Sequence, residues 1–415
     1  MRRFQARKLR SVVAHCQARV AVYRDHWCGV ALPPASITAP EALGSLPTIG
    51  KDDLRARPLR CALADGVDPA KLVRHQTSGS SGQPFLICRS PLEEHLLQLF
   101  RLRARREAGV RWSDRIVWFR QLPAEDGRPA WPGRLRRALG FHTDADLDGL
   151  ADASAMVDAL VRHRPDVVGG YPSTLSYLAD HALRRDRPPT PLRLVVSGGE
   201  VLQGAARRAI GDAFGAPVVD FYGAHEFNLL AWECPRGHGY HVCDAGVYVE
   251  VLDDTGRPVA VGETGHVVAT ALHSYTMPFV RYRTGDLAMR GPDACPCGQP
   301  YSTLLAIEGR TADMLGLPGG RLVHPYRITG ALADHDADWI SQHRLVQSGS
   351  DHVVLELATR RAPAPGDLDR LRADGARVLG ADVRFEVTLV DGFAREPGRK
   401  FRPYVVLGGS DGPGA

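Results

Sequence analysis

Small and hydroxyl-bearing residues follow one another in the segment TSGSSGQP, from Thr77 to Pro84. Glycines let backbone N–H groups converge on an anion, and serine and threonine hydroxyls add donors around the same concavity. The segment is not a Walker A loop, because Gln83 follows Gly82 where that motif requires lysine. Taken alone, it fits a flexible linker or a hairpin turn equally well. The flanking segments KLVRHQ and FLICRS are typical of short apolar strands, which favours a phosphate-binding turn.

Three further motifs place glycines and a carboxylate where a strand is expected to end, the position at which open α/β sheets bind ligands. They are VVSGGEVL (195–202), DFYGAHEF (220–227) and RYRTGDLA (281–288). Together with the first loop, their order resembles that of the adenylate-forming ligase superfamily. The resemblance is strongest to its phenylacetate–coenzyme A ligase branch and the capsule-biosynthesis relatives. The segments LPTIGKDDLR and IEGRTADML extend the resemblance over roughly residues 45 to 325.

The resemblance implies an enzyme that activates a small carboxylic acid with ATP. An acyl-adenylate would form with release of pyrophosphate, Mg²⁺ would assist at the phosphates, and coenzyme A would then receive the acyl group. Because the adenylating residues are common to several acceptors, a carrier-protein thiol or an amine remains open. A non-catalytic nucleotide-binding protein is the alternative from another class. Such a protein could lose the catalytic lysine and the magnesium ligand, but the sequence retains both candidates, Lys400 and Glu226.

The same resemblance assigns a role to individual residues. Lys400, Glu226 and Arg310 would be catalytic, with Glu226 holding Mg²⁺ and Arg310 binding the ribose or phosphate. Tyr222 would stack on adenine, and Asp286 would accept both ribose hydroxyls, since an ionised carboxylate is an acceptor only. The implied nucleotide contacts are Thr77, Ser78, Gly79, Ser80, Ser81, Gly82, Gly199, Glu200, Tyr222, Gly223, Asp286 and Arg310.

Lysine is rare in this chain, with Lys8, Lys51, Lys71 and Lys400 among 52 basic residues. Lys400 lies in the glycine- and arginine-containing segment AREPGRKFRPYV, between two predicted strands. An exposed loop cation is its ordinary interpretation. In the resembled superfamily, a lysine in such a C-terminal loop bridges the α-phosphate and the substrate carboxylate, which a compact ammonium suits better than a guanidinium.

The sequence departs from the family pattern at several positions. Gln83 replaces the common lysine of the phosphate loop, His225 precedes the acidic Glu226 where serine or threonine is usual, and Ala312 replaces an acidic hinge residue. The segment 118–137 lacks the glycine-rich aromatic stretch of a phenylacetate pocket. The resemblance therefore does not identify the acid, and phenylacetate itself is not expected.

Eight cysteines indicate a reducing compartment, and four of them lie in two Gly/Pro/His-rich segments, ECPRGHGYHVC and DACPCGQP. Tetrahedral zinc takes four thiolate or imidazole ligands held by tight turns. The single-residue spacing of Cys295 and Cys297 is less typical than CxxC, so free thiols remain the alternative. Some relatives carry a structural zinc at matching positions, which implies the ligands Cys234, His241, Cys295 and Cys297. His238 and Cys243 are the reserve ligands.

The elements that must position these residues follow from composition and periodicity. With 415 residues, 44% of them hydrophobic, the chain can form two or three domains. Apolar strands alternate with helical stretches from about residue 75 to 230, and short strands follow from 240 to 290. The predicted fold class is α/β. A large N-terminal adenylation domain (1–309) would have mostly parallel sheets and a small zinc-bearing β subdomain near 230–300, and a small mobile α+β domain (310–415) would carry Lys400.

Charge and hydropathy narrow the expected partners. A net charge of +5 with scattered arginines predicts no nucleic-acid partner. No run of about 18 apolar residues appears, so no membrane span is expected. The basic N-terminus lacks the apolar core of a signal peptide and is typical of an amphipathic helix. These features predict a cytoplasmic enzyme.

Overall fold

The computed structural model describes residues 1–30, 32–76, 85–120, 143–149, 151–184, 191–310, 315–323, 325, 328, 339–393 and 404–407. The chain divides into two compact units. Unit 1 is Met1–Gly109 with Phe221–Glu308, and unit 2 is Val110–Asp220 with Gly309–Ala415. The chain passes from unit 2 to unit 1 within strand β7 (Val218–Tyr222). No helix in the described ranges is long and apolar enough to cross a bilayer.

Helices of unit 1 precede its main sheet in the chain. They are α1 (Arg2–Arg19), α2 (Ala21–His26), α3 (Lys51–Arg55), α4 (Leu59–Ala62) and α5 (Pro91–Glu107). In α1 the fully buried Leu9, Val12, Val13 and Cys16 recur at helical spacing, while the basic residues lie on the other face. The amphipathic helix predicted for the N-terminus is therefore present.

Helix α5 begins at a capping box. Ser90 accepts from the backbone of Glu93, and Glu93 in turn accepts from the backbone of Ser90. The other carboxylate oxygen of Glu93 accepts from the backbone N–H groups of Tyr275 and Thr276 at 2.6 and 2.8 Å. The start of α5 is thus fixed to the segment before the RYRTGD motif.

Strands of unit 1 form a hairpin and an antiparallel sheet. The hairpin joins β1 (Val73–Gln76) to β2 (Leu86–Arg89). The sheet runs in the order β10-β11-β12-β13-β9-β8, and the end of β7 pairs with β8. Its strands are β8 (Ala231–Glu233), β9 (Tyr240–Val242), β10 (Val247–Leu252), β11 (Thr264–Ala271), β12 (Tyr282–Arg290) and β13 (Thr303–Arg310). Strands β9 to β12 agree with the short strands expected from residue 240 to 290.

The first part of unit 2 alternates strands and helices around a parallel sheet. Its elements are β3 (Arg115–Arg120), β4 (Thr143–Asp148), α6 (Ala153–His163), β5 (Val167–Gly170), α7 (Pro172–Arg184), β6 (Leu194–Gly198) and α8 (Gly204–Phe214). Strands β6, β5, β3 and β4 are neighbours in that order, and the pairs β6/β5, β5/β3 and β3/β4 are parallel. The buried apolar strands β3, β5 and β6 explain this arrangement, because crossover helices cover the faces of such a sheet.

The second part of unit 2 has a four-stranded sheet of order β18-β17-β16-β19 and one packed helix. Its elements are β14 (Leu315–Gly316), β15 (Leu322–Val323), β16 (Ile340–Gly349), β17 (His352–Thr359), α9 (Asp367–Leu379), β18 (Arg384–Val390) and β19 (Tyr404–Val406). Leu345, Leu355 and Leu357 from the sheet and Leu371 and Leu379 from α9 form one core. This sheet with its packed helix agrees with the α+β fold predicted for the C-terminal part.

Candidate active site and metal cluster

The candidate phosphate loop connects β1 to β2. The hairpin register ends at the pair Gln76 and Leu86, so the two arms are defined. The loop itself, Thr77–Gly82 with Gln83, lies outside the described residues, as do Lys400, Ala312 and the side chain of Arg310. Their roles stay predictions.

Asp286 lies in an irregular part of β12. At the register shift between β11 and β12, the segment Thr284–Asp286 opposes Val267 alone, and Gly285 has a φ of 81°. A bulge of this kind redirects side chains out of the regular alternation, and its left-handed residue favours glycine. The Tyr222 hydroxyl donates to Asp286 Oδ2 at 2.6 Å. The two residues predicted to contact adenine and ribose are therefore adjacent in unit 1.

Glu226 is buried in the turn that follows β7, with 7% of its surface exposed. The Tyr282 hydroxyl donates to Glu226 Oε1 at 2.8 Å, and burial together with this carboxylate raises the pKa of Tyr282 far above its usual range. Gly223 starts the turn, and a Cβ there would lie 2.5 Å from the carbonyl oxygen of Asn228. Glycine is therefore required at this position by the close backbone approach.

The turn containing Glu226 is also held from the β1–β2 hairpin. Arg89, at the end of β2, donates through one guanidinium nitrogen to the His225 carbonyl and through the other to Glu94 Oε2 at 3.0 Å. His75 of β1 contacts the same Glu94 oxygen at 2.9 Å. These hydrogen bonds lower the pKa of Glu94 to about 2, His75 contributing most, so the carboxylate is ionised.

Gly199 and Glu200 lie in unit 2, directly after β6. Gly199 has a φ of 82°, which places it in the left-handed region. Glu200 Oε2 accepts from the backbone N–H of Ser173 at 3.0 Å, in the first turn of α7. A carboxylate at a helix N-terminus is stabilised by the exposed N–H groups, so Glu200 has a clear structural role beside its predicted one.

The predicted cysteine and histidine ligands come together in unit 1. One ligand atom from each of Cys234, His241, Cys295 and Cys297 lies within 4.8 Å of the others. The sulfurs of Cys234 and Cys295 are 3.8 Å apart, and Cys297 Sγ is 3.4 Å from His241 Nε2. Reserve ligands His238 and Cys243 do not join this group.

The spacing of these atoms fits a tetrahedral zinc ion. Zn–S bonds near 2.3 Å and Zn–N bonds near 2.0 Å place two sulfurs about 3.8 Å apart and a sulfur and a nitrogen about 3.5 Å apart. Burial lowers the pKa of His241, which favours the neutral imidazole that binds metals. Burial raises the pKa of Cys295 to about 12, so a metal would have to displace that proton.

Similarity to known proteins agrees with these motifs. The AMP-binding enzyme family model matches residues 140–273. Phenylacetate-coenzyme A ligase of Thermus thermophilus is 28% identical over 353 residues, covering 80% of this chain and 75% of the relative. The enzyme of the same name from Pseudomonas putida is 28% identical over 333 residues, covering 77% and 72%. The crystal structure of 2-hydroxyisobutyryl-CoA ligase in the postadenylation state covers 97% of this chain and 88% of its own, with a TM-score of 0.80 and 22% identity.

These matches confirm the resemblance to adenylate-forming ligases that the sequence motifs indicated. The chain's predicted fold class is confirmed, since the structural relatives share the α/β architecture with a smaller C-terminal α+β part. The prediction of an AMP-forming acid–thiol ligase is likewise borne out by the phenylacetate-coenzyme A ligases among its relatives. The predicted division at residues 309 and 310 and the assignments of single residues stay predictions.

The sequence did not reveal the residues that hold Glu226 and the turn around it in place. Tyr282 belongs to the quoted RYRTGD segment, but its contact with Glu226 could not be inferred from spacing. Arg89 gave a usable signal: it is a charged residue at the end of an apolar strand, FLICR, and only 4% of its surface is exposed. Buried arginines are rare unless they are paired.

Proposed function

We propose that this ligase activates a small carboxylic acid with ATP and transfers the acyl group to the thiol of coenzyme A. In the first step a carboxylate oxygen attacks the α-phosphorus of ATP, and the bond to the pyrophosphate oxygen breaks. In the second step the thiol sulfur attacks the acyl carbon of the adenylate, and AMP leaves. The first step depends on positioning and charge neutralisation more than on covalent help from the protein.

The contact between Tyr222 and Asp286 is the observation that carries the proposal. Asp286 would accept the two ribose hydroxyls, because a carboxylate offers several lone pairs to a vicinal diol. The 2.6 Å hydrogen bond from Tyr222 fixes the carboxylate beside the ring that would stack on adenine. The two residues belong to separate motifs, Tyr222 to DFYGAHEF and Asp286 to RYRTGDLA. Their pairing supports a nucleoside site in unit 1.

Glu226 would hold Mg²⁺, which prefers carboxylate oxygens and would neutralise charge on the triphosphate. The buried carboxylate fits this role because a neutral phenol, Tyr282, orients it without cancelling its charge. Among the described residues, no arginine or lysine forms an ion pair with Glu226. The site thus retains a negative charge that a divalent cation can balance.

The remaining roles are assigned by family resemblance. The loop Thr77–Gly82 would bind the β- and γ-phosphates, and Gly199 with Glu200 would line the adenine. Arg310 would bind the ribose or a phosphate. Lys400 would neutralise charge at the α-phosphate during the first step and leave before the second, which requires movement of the C-terminal domain.

We also propose a structural Zn²⁺ on Cys234, His241, Cys295 and Cys297. The donor set of three sulfurs and one imidazole is typical of closed structural sites, and its spacing agrees with zinc geometry. The metal would tie the turn after β8 to β9 and to the turn between β12 and β13. A cytoplasmic location, in which these thiols stay reduced, belongs to the same proposal.

A carrier-protein thiol is the second candidate acceptor. A proline–carrier-protein ligase of Streptomyces coelicolor is 29% identical over 126 residues, but the match covers only 27% of this chain. The longer matches to coenzyme A ligases therefore favour coenzyme A.

The test is carboxylate-dependent ATP–pyrophosphate exchange across a panel of aryl, fatty, hydroxy and amino acids. The best acid is then supplied with coenzyme A, a holo carrier protein or an amine. Lys400→Ala should reduce acyl-adenylate formation by a factor on the order of 10² to 10³, while transfer from a supplied adenylate survives. If ATP binds but no acid supports exchange, the chain is a nucleotide-binding protein and the proposal fails.

A further inference from the structure

Arg89 is a buried cation with two partners from different parts of the chain. Its side chain is 5% exposed, and its two terminal nitrogens point to Glu94 and to the His225 carbonyl. Glu94 belongs to the first turns of α5, whereas His225 immediately precedes Glu226. A buried guanidinium requires good hydrogen-bond partners, because an unpaired charge is costly to bury. The two contacts therefore define the directions of both terminal nitrogens of Arg89.

Glu94 contacts two other side chains besides that of Arg89. His75 contacts the same oxygen as Arg89, and Gln98 donates to the other oxygen at 3.1 Å. His75 lies in β1, one residue before its end, and Arg89 is the last residue of β2. The carboxylate thus joins both arms of the hairpin whose connection is the candidate phosphate loop.

We propose that Arg89 is a positioning residue that sets the Glu226 turn relative to the β1–β2 hairpin. Glu94 and His75 hold its guanidinium, and its second nitrogen holds the backbone directly before Glu226. The inference rests on the proposed function, in which the hairpin loop binds the triphosphate and Glu226 holds Mg²⁺. The arrangement would hold Glu226 at a fixed position relative to the arms of the candidate phosphate loop before ATP binds.

Arginine is suited to this role and lysine is not. The planar guanidinium presents separate donors in a rigid fork, so one group can bridge a carboxylate and a carbonyl simultaneously. A lysine ammonium is a compact point charge on a flexible stem and would keep the attraction to Glu94 while losing the fixed direction toward His225. Arg89→Lys therefore separates positioning from simple charge compensation.

The first experiment measures binding by titration calorimetry in the full chain. Affinity for MgATP and for metal-free ATP is compared in the wild type, Arg89→Lys and Glu94→Gln. Weakening of MgATP binding by about 10-fold, with metal-free ATP affected less than about twofold, supports the inference, since small misplacements of a ligand have effects of this size. Equal effects on both forms of ATP, or no effect on either, overturn it.

The second experiment measures exchange as a function of Mg²⁺ concentration. Both variants should require about 10-fold more Mg²⁺ for half-maximal exchange and show a kcat reduced about 10- to 100-fold, with an unchanged KM for the acid. Arg193→Lys is the matched control, because Arg193 pairs with the buried Asp114 at the amino end of β6. If Arg89→Lys only impaired folding, its kcat would fall as in the Arg193→Lys control, and the folded fraction would need no more Mg²⁺ than the wild type. That result would overturn the inference.

These two experiments distinguish the inference from the proposed function. If the wild type shows no acid-dependent exchange, the proposed function fails, while the binding comparison still tests Arg89. If the wild type exchanges normally and Arg89→Lys matches it in Mg²⁺ requirement and kcat, the positioning role is refuted. Glu94→Gln keeps the side-chain shape, so it provides the same comparison if Arg89→Lys does not fold.

Discussion

Loss of the proposed zinc ion should destabilise unit 1 strongly, and Cys295→Ser tests this most directly. The substitution removes one of four ligands and leaves a side chain that binds zinc poorly. Cys295 and Cys234 are 61 residues apart in sequence. Treated as a cross-link that closes a loop of this length, the metal would restrict the unfolded chain by about 4 kcal/mol at 25 °C.

The measured quantity is the melting temperature together with the metal content. For a unit of roughly 200 residues, each kcal/mol corresponds to roughly 2–4 °C, so the expected decrease is about 8–16 °C. Wild type should contain about one zinc per chain, and 1,10-phenanthroline should lower its melting temperature to that of Cys295→Ser. Chelator should have no further effect on the variant.

Cys243→Ala is the matched control for this prediction. Cys243 is buried and lies two residues after His241, but it does not belong to the four-ligand group. Its replacement should leave a full equivalent of zinc and an undiminished response to chelator. A wild type purified in reductant without zinc, and indifferent to added zinc, would refute the proposed site.

Three further predictions concern the carboxylates. Asp286→Asn should raise the KM for ATP by about 10-fold or more with little change in melting temperature. The reason is that an amide offers the ribose one acceptor oxygen in place of two. An unchanged KM for ATP in pyrophosphate exchange would contradict this role. Tyr282→Phe should reduce the free energy of unfolding in urea by about 1.5–3 kcal/mol, since the buried carboxylate of Glu226 loses its hydrogen-bond donor. An unchanged free energy of unfolding would mean that water replaces the phenol. Glu94 has a folded-state pKa lowered to about 2, so it stabilises the protein above its unfolded pKa near 4.3, and this contribution is lost as pH falls toward 2. Glu94→Gln should therefore flatten the pH dependence of unfolding between about pH 4.5 and 2, and a wild-type profile in the variant would contradict the pairing.

The sequence predicted the elements and motifs well because their signals are local. Alternating apolar strands and helices indicated the parallel sheet of β3 to β6, and short strands with turn residues indicated the antiparallel strands β10 to β12. The four residues that the family resemblance implied as zinc ligands, Cys234, His241, Cys295 and Cys297, lie together in unit 1, while the zinc itself stays a prediction. For the strands and helices, residue type and order carried the information.

The contacts that hold the site could not be predicted, because they join residues far apart in sequence. The Tyr282 hydroxyl reaches Glu226 across 56 positions, and Arg89 reaches His225 across 136. The bulge that redirects Asp286 is set by pairing with β11, which the RTGD motif alone does not reveal. Glu200 shows the opposite difficulty: its motif indicates a nucleotide contact, while its carboxylate accepts from the backbone of α7.

Charge compensation distinguishes structural carboxylates from the candidate metal ligand. Glu250 is buried against Arg281, with both guanidinium contacts at 3.1 Å, and Glu94 is paired with Arg89. Such ion pairs leave little net charge to attract a ligand. Glu226 is equally buried but is held by the neutral phenol of Tyr282. Because desolvating an uncompensated carboxylate is costly, the absence of a paired cation in the part of the chain that the structure describes is consistent with the proposal that Mg²⁺ bound with ATP would supply that charge.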